Sequence, residues 1–269
     1  MNTEGPAREA ILNHIRLALQ DVPAQEQPDV VVVARDYRRS ESAPREEVIE
    51  RFVERVAEYK VTVQCVEETS LQEAIASACA AHRVRRLVIP PDLPESWLPG
   101  GVELLQDGDS LTYEQLDTSD GVLTGCALGI AQTGTIILNG GTHQGRRVIT
   151  LLPDYHLCVV YEDQIVNLVP EAIARLGDAV LRHRRPITFI SGPSATSDIE
   201  LNRVEGVHGP RTLDVLVVCA TFAPLMNGHL CVKYDRFPIM NMFSCTRSIG
   251  PFIFCVFIQS SQMLKNHYN

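Results

Sequence analysis

The sequence predicts an α/β fold of three layers, in which helices cover both faces of a mostly parallel sheet. From Arg45 onward, short apolar runs typical of buried strands alternate with segments whose apolar residues have helical spacing. Strands that alternate with helices are joined by right-handed crossovers, which favour parallel pairing. Two stretches rich in glycine and hydroxyl residues follow apolar runs, and such loops are where α/β proteins usually bind ligands.

The first elements follow from local spacing. A helix is predicted to begin at Pro6, because proline suits the first helical position, and Ile11, Ile15 and Leu19 share one of its faces. The Pro-, Gln- and charge-rich segment Asp21–Pro44 indicates a linker with a short extended run at 30–33. After it we expect a helix from Arg45 to about Tyr59, a strand at Val61–Val66, a helix at Leu71–Ala81 and a strand at Arg86–Pro90.

The second half is less regular. Gly121–Ala127 and Thr135–Leu138 predict two strands, joined through a turn at Gln132–Gly134. The remaining predicted elements are a strand at Val102–Leu105, a short helix at Tyr113–Leu116, a strand at His156–Tyr161, a helix at Pro170–Leu181, and strands at Ile187–Ile190 and Leu213–Val218.

Composition changes after Val218. Six of the eight Phe, four of the five Met and four of the eight Cys lie in residues 219–269, where one acidic residue faces four basic ones. That segment has a net charge of +3. Because the whole chain has a net charge of −9, residues 1–218 have a net charge of −12. We therefore predict an N-terminal helix and linker at 1–43, an α/β domain at 44–218 and an atypical segment at 219–269. An added or mis-joined segment outside the fold explains the last part better than a membrane-touching or partner-binding tail does.

The composition also argues against several functional classes. An acidic body repels nucleic acid and acidic membrane surfaces, and the most apolar run, Ile249–Ile258, is too short to span a bilayer. The first twenty residues lack the apolar core of a signal peptide. No C-x-x-C pair occurs, and Cys65, Cys79, Cys126 and Cys158 are far apart in the sequence. We expect a cytoplasmic protein with buried thiols and with neither a metal nor an iron–sulfur cluster of its own.

The second glycine- and hydroxyl-rich stretch, Ser191–Glu200, follows the apolar run Pro186–Ile190. Its first residues should leave the carboxyl end of a buried strand, where Gly192 lets backbone N–H groups approach a ligand. Ser191, Ser194 and Thr196 would add hydroxyl donors. In the first stretch, Thr133–Thr135 could present two hydroxyls to a ligand, or could equally form a tight turn with Gly134 at positive φ.

The sequences of these stretches resemble those of the lactate utilisation protein C family, whose members contain the LUD domain. The resemblance covers roughly Ala7–Val218 and is carried, in order, by TGTIIL, LLPDYHLCVV, SGPSATSDIE, GVHGP and TLDVLVV. It implies a fold related to the ribose-phosphate isomerase and coenzyme A transferase group. It also implies a role with two iron–sulfur partner proteins in oxidising L-lactate to pyruvate, and it assigns no catalytic residue. The chain departs from the family at Gln132, where many members carry an acidic residue.

Charged residues near these stretches have alternative explanations. Arg146 and Arg147 follow a run of glycines and could clamp an anion, and we favour Arg146 for that role and a solvated turn for Arg147. His156 and His208 could act as acid or base near neutral pH, and His208 is preferred because it lies beside a Gly-Pro turn.

Ser197 and Glu200 have the spacing of a capping box, and a helix beginning there would direct its free N–H groups at an anion. Asp198 would then complement the helix dipole. A Ser194–His208–Asp198 triad is disfavoured, because no nucleophile-elbow pattern surrounds the serine.

These observations predict a non-redox component of an L-lactate oxidation system, with the iron–sulfur clusters on its partners. The alternative is a stand-alone enzyme or binder for a phosphorylated or coenzyme A-linked metabolite. In either case the ligand is a small anion, and the predicted ligand-binding residues are Thr133, Gly134, Thr135, Arg146, Ser191, Gly192, Ser194, Thr196 and His208.

Overall fold

The computed structural model describes residues 6–21, 35–183, 185–197, 203–205 and 209–219. The chain divides into two units, 1–38 and 39–269. The first contains helix α1, Pro6–Ala18, which begins at the predicted proline. Its apolar face is exposed, with Ile11 at 59% and Ile15 at 48%. The predicted extended run at 30–33 lies outside the described residues.

The second unit contains helices and strands in the predicted alternation. Its helices are α2 Arg45–Ala57, α3 Leu71–Ala81, α4 Tyr113–Asp117 and α5 Val169–His183. Its strands, within the described residues, are β1 Thr62–Val66, β2 Arg86–Ile89, β3 Glu103–Gln106, β4 Gly121–Thr124, β5 Leu128–Ile130, β6 Thr135–Leu138, β7 Tyr155–Tyr161, β8 Ile165–Val166, β9 Thr188–Ile190, β10 Ala195–Ser197, β11 Arg203–Glu205 and β12 Thr212–Val218.

The main sheet has six strands in the order β1-β12-β7-β4-β2-β3, and every pair in it is parallel. Helix α3 covers one face, where Ile75 packs in a buried cluster with Leu87 and Leu157. Helix α2 covers the other face, where Phe52 is fully buried against Val215. Burying a side chain of this size stabilises the fold by about 2–3 kcal/mol. The predicted fold class, a mostly parallel sheet with helices on both faces, is confirmed.

A smaller mixed sheet, β8-β5-β6-β9, packs on the same side of the main sheet as α2. One of its faces contributes Ile136 to the cluster around Phe52. The other face is covered by α5, whose Leu176 packs with Ile130 and Ile137. This second sheet positions the two glycine- and hydroxyl-rich stretches.

Two predictions about strands need correction. The run Gly121–Ala127 is not one strand: β4 belongs to the main sheet, and Gly125 leaves the ladder by donating its N–H to the carbonyl of His143 at 2.7 Å. Strand β9 does not belong to the parallel sheet, because it pairs antiparallel with β6. Apolar composition predicts that a strand is buried, but not which sheet it joins.

The segment around Ser197 contains a pair of strands that the sequence did not predict. Ser197 ends strand β10 and pairs with Arg203 in the antiparallel strand β11. The helix predicted to begin at Ser197 falls on Asp198 and Glu200, which lie outside the described residues, so it stays a prediction.

Candidate functional site

The two glycine- and hydroxyl-rich stretches meet in the structure. The hydroxyls of Thr135 and Ser191 are 2.8 Å apart. The register explains this contact: β6 and β9 are antiparallel with Ile136 opposite Ile190, so the residue that opens β6 lies beside the residue that follows β9. The sheet therefore brings together two segments that are well separated along the chain.

The Thr133–Thr135 turn is sealed by helix α2. Gly134 has a φ of +58°, and a Cβ added there would lie 2.5 Å from the backbone carbonyl carbon of Arg55. Thr133 and Thr135 share a hydrogen bond of 2.7 Å between their hydroxyls. The glycine is thus required by the close approach of the helix, and these hydroxyls are engaged with each other.

Tyr59, which follows helix α2, packs against the same region. Its hydroxyl donates to the carbonyl oxygen of Thr133 at 3.1 Å, and it also hydrogen-bonds Ser191. Burial, followed by the nearby Glu58 carboxylate, raises the pKa of Tyr59, so the phenol stays protonated at neutral pH. A Cβ added to Gly192, which has a φ of +91°, would lie 2.6 Å from the Cβ of Tyr59. Tyr59 therefore contacts both stretches through packing and hydrogen bonds.

On its opposite side, the Gly192–Ser194 segment borders an open pocket of about 430 Å³, counting its solvent-open mouth. Residues from four separate segments of the chain line it, among them Arg147, Thr150, His156, Gly192, Ser194 and Gly209. The loops are held together by a hydrogen bond of 2.8 Å from the backbone N–H of Ser194 to the carbonyl of Pro210. The pocket is the candidate site.

The two neighbouring arginines have different surroundings. Arg146 donates from Nε to the buried carboxylate of Asp107 at 2.7 Å and from Nη2 to the carbonyl of Gly108. Its hydrogen bond to Asp107 raises the pKa of the guanidinium. Arg147 instead lines the pocket, where Nη1 donates to the hydroxyl of Thr150 at 2.6 Å. The predicted anion ligand Arg146 thus fixes a loop to the sheet, and Arg147 is the arginine at the pocket.

His156 forms part of the pocket wall, where it is 1% exposed. Its Nε2 is 2.8 Å from the hydroxyl of Thr124, and its side chain also hydrogen-bonds the thiol of Cys158. The hydrogen bond from Cys126 is the main cause that lowers the pKa of Cys158, to about 6, and the contact with His156 adds to it. The imidazole is therefore held by Thr124 on the neighbouring strand β4 and by Cys158 on its own strand β7.

The other predicted site residues are placed as follows. Ser194 is buried and lines the pocket, and Gly192 lies between the pocket and Tyr59. The backbone of Thr196 lies in β10. His208 lies outside the described residues, although the adjacent Gly209 and Pro210 line the pocket.

The pocket is not at the carboxyl edge of the main sheet, where it was expected. His156 and Leu213, which both line it, are the second residues of β7 and β12, so the pocket lies at the amino-terminal ends of these strands. It also borders the end of β9, but that strand runs in the smaller sheet. Ser191 does follow the carboxyl end of β9, as predicted, but β9 belongs to the smaller sheet, so this loop meets the amino-terminal ends of β7 and β12.

The chemistry of the pocket suits a small anion. A guanidinium can bind a carboxylate or phosphate through two parallel hydrogen bonds, and Arg147 brings such a group to the pocket. Within the described ranges, no group of three or more His, Cys, Asp or Glu side chains is arranged to hold a metal ion.

Sequence reasoning missed Tyr59 as a residue of this region, and it placed Arg147 second. The available signal for Arg147 was its spacing from Thr150. A short 3-10 turn, Arg147–Thr150, brings the ends of that four-residue segment together, so the guanidinium meets the hydroxyl at the pocket.

None of the helices in the described part of the chain combines the length and apolarity needed to cross a bilayer. This finding concerns the described helices alone.

Comparison with known proteins identifies the family to which the α/β domain is similar. The sequence model of the LUD domain family matches residues 40–218. A "Lactate utilization protein C" of Deinococcus radiodurans is 48% identical over 174 residues, which cover 65% of this chain and 81% of that relative. A protein of the same name from Geobacillus sp. (strain WCH70) is 29% identical over 178 residues, with 59% and 73% covered.

The fold has a counterpart among solved structures. The crystal structure of a DUF162 family protein from Deinococcus radiodurans superposes with a TM-score of 0.58 at 40% identity, covering 66% of this chain and all of that one. The family match spans more than half of the chain and includes the residues described here as the pocket. The chain therefore belongs to the LUD domain family.

Proposed function

We propose that this chain is a non-redox component of an L-lactate utilisation system, in which it binds a small carboxylate while iron–sulfur partner proteins carry the electrons. The names of its relatives support the metabolic assignment. The observation that carries the binding role is the position of Arg147, whose guanidinium lies at an open pocket beside Thr150 and Ser194.

The same pocket favours binding over proton transfer. The imidazole of His156 is engaged by Thr124 and Cys158, so it acts as part of the wall.

The role is tested by lactate-dependent dye reduction with the partner proteins, in the presence and absence of this chain. We expect the rate to fall at least tenfold without the chain and to return when it is added back. An unchanged rate without it would contradict the proposal.

The site is tested separately by comparing Arg147→Gln with Arg146→Gln. Only the first should weaken binding of L-lactate, measured by calorimetry, because Arg146 is committed to Asp107. An unchanged affinity in Arg147→Gln would mean that this pocket does not bind the ligand.

A second candidate is a binder of a phosphorylated or coenzyme A-linked metabolite. Arg147 at the pocket favours it, because a guanidinium binds a phosphate group in the same two-pronged way as a carboxylate. A thermal-shift screen with sugar phosphates, nucleotides and coenzyme A esters distinguishes the two. A ligand found there, with no response to L-lactate, would replace the first candidate by the second.

A further inference from the structure

Four cysteines that are far apart in the sequence lie on the same face of the main sheet as α2. They belong to four consecutive strands or to the residues that follow them: Cys65 on β1, Cys219 after β12, Cys158 on β7 and Cys126 after β4. They form two pairs of hydrogen-bonded thiols, Cys65 with Cys219 and Cys126 with Cys158. Sequence spacing gave no sign of either pair.

Both pairs have the same relation to the sheet. Cys65 pairs with Val217 in the parallel register, so Cys219 lies two residues beyond the residue that is opposite Cys65. Cys158 is likewise opposite Thr124, two residues before Cys126. The backbone N–H of Cys219 donates to the carbonyl of Val66 at 3.0 Å, which holds it against β1.

The pairs differ in access to solvent. Strand β1 is at the edge of the sheet, and Cys65 is half-buried. Cys126 and Cys158 lie in the interior and are 4% and 0% exposed. A dissolved reagent can therefore reach Cys65, whereas Cys219, which is 7% exposed, and both thiols of the second pair are buried.

Hydrogen bonding within the first pair favours a thiolate on Cys65. The hydrogen bond from the thiol of Cys219 lowers the pKa of Cys65, against the effect of burial. The same hydrogen bond, burial and the nearby Glu162 carboxylate raise the pKa of Cys219, and the positive charge of Arg45 opposes them only in part. Cys65 is therefore the sulfur that carries the negative charge, and Cys219 is the thiol that donates to it.

We propose that Cys65 and Cys219 form a reversible oxidation site that reacts with peroxides. An accessible, acidic thiol beside a second thiol is the arrangement of redox-sensing cysteines. The Cys65 thiolate attacks one peroxide oxygen, the O–O bond breaks, and the sulfur becomes a sulfenic acid as hydroxide leaves and is protonated to water. The Cys219 sulfur then attacks the sulfenic sulfur, an S–S bond forms, and a second water leaves. Two thiols lose two electrons, one peroxide becomes two waters, and a dithiol reductant reverses the reaction.

The disulfide would act at a defined point of the fold. Cys219 follows the last residue of β12, so the bond would fasten the residue that precedes segment 220–269 to the edge strand β1. A cross-link between residues this distant in sequence also restricts the unfolded chain. We therefore expect oxidation to raise the unfolding temperature, and reduction to restore the original value.

The test uses the full chain exposed to limiting hydrogen peroxide, followed by intact mass and non-reducing peptide mapping. We expect a loss of 2 Da, as two hydrogens leave, a Cys65–Cys219 linked peptide, and reversal by dithiothreitol. No mass loss, or a linkage that joins either residue to a cysteine of segment 220–269, would overturn the proposal.

Variants assign the two roles. Cys219→Ser should leave a sulfenic acid on Cys65 that dimedone traps, and Cys65→Ser should react with peroxide at least tenfold more slowly. Cys126→Ser is the matched control and should form the Cys65–Cys219 bond at the rate of the unaltered chain. Equal rates in Cys65→Ser and the unaltered chain would show that Cys65 is not the reactive thiol, whatever the stability of the variants.

Discussion

The two sides of the Ser191–Ser194 segment differ in a way that composition does not reveal. Toward Tyr59, glycine and hydroxyl residues are closed against helix α2, with the hydroxyls of Thr135 and Ser191 hydrogen-bonded to each other. Toward Arg147, the same segment borders an open pocket. The first side uses its glycines for close packing of backbone, and the second leaves room for a ligand. A sequence rich in glycine and hydroxyl residues therefore indicates that the backbone comes close to another group. Only the neighbouring residues decide whether that group belongs to the protein or to a ligand.

The largest effect is expected for a substitution of Gly134, where helix α2 packs on the closed side. Gly134→Ala places a Cβ 2.5 Å from the backbone of Arg55 at a φ of +58°, so helix α2 must shift. We expect a loss of about 3 kcal/mol in the free energy of unfolding, measured by urea denaturation.

Gly177→Ala is the matched control for that substitution. No atom lies within 4 Å of the Cβ that alanine would add there, in the interior of α5, and alanine favours helix more than glycine does. We expect this variant to be as stable as the unaltered chain or more stable by about 0.5–1 kcal/mol. Similar losses in both glycine variants would show that α2 does not seal the turn as described.

The next largest effect is expected when the positive charge of Arg147 at the open pocket is removed. Arg147→Gln should weaken anion binding by about 2 kcal/mol, or roughly 30-fold, because a charge-assisted hydrogen bond to the ligand is lost. Titration calorimetry measures the affinity. An affinity within twofold of the unaltered chain would exclude Arg147 as the anion ligand.

A smaller effect is expected for its neighbour. Arg146→Gln leaves the carboxylate of Asp107 buried with fewer partners, since the side chain of Arg146 no longer donates to it. We expect a loss of about 1–2 kcal/mol of stability, reduced because Arg146 is itself partly exposed and because its backbone N–H still donates to Asp107. Thermal unfolding measures the loss, and anion affinity should stay unchanged. A matching fall in affinity would place Arg146 at the site after all.

The smallest effect tests whether the sealed side contributes to binding at all. Tyr59→Phe removes the hydroxyl that donates to Thr133 and hydrogen-bonds Ser191 but keeps the ring over Gly192. We expect a loss of about 1 kcal/mol in stability with no change in anion affinity. A change in affinity that exceeds the change in stability would mean that the hydroxyl cluster reaches the ligand.

Much of the fold was predictable because its elements carry local signals. Helix α3 has the predicted bounds, and strands β7 and β12 agree with the prediction to within one residue. The assignment of β9 failed because Thr188–Ile190 has the same apolar composition whether it pairs in the main sheet or beside β6. The pairing of Ser197 with Arg203 was not predicted for a related reason, since a partner strand gives no local signal before the two strands meet.

The candidate site was predictable in part. Gly192 and Ser194 were singled out by their residue types and do border the pocket. The preference between two adjacent arginines depended on Asp107, which comes from the end of β3 and had no visible connection to them in the sequence. Their roles as ligands remain predictions for the experiments above.

The sequence by itself determined which segments form helices and strands, that the sheet is mostly parallel, and which family the chain resembles, because periodicity and ordered motifs are local properties. Only the tertiary structure decided which side of Gly192 is closed, which arginine reaches the pocket and which thiols pair. The physical reason is long-range pairing: the register of β6 with β9 and of β1 with β12 fixes the hydroxyl and thiol contacts, Asp107 beyond β3 holds Arg146, and none of these partners is near in sequence.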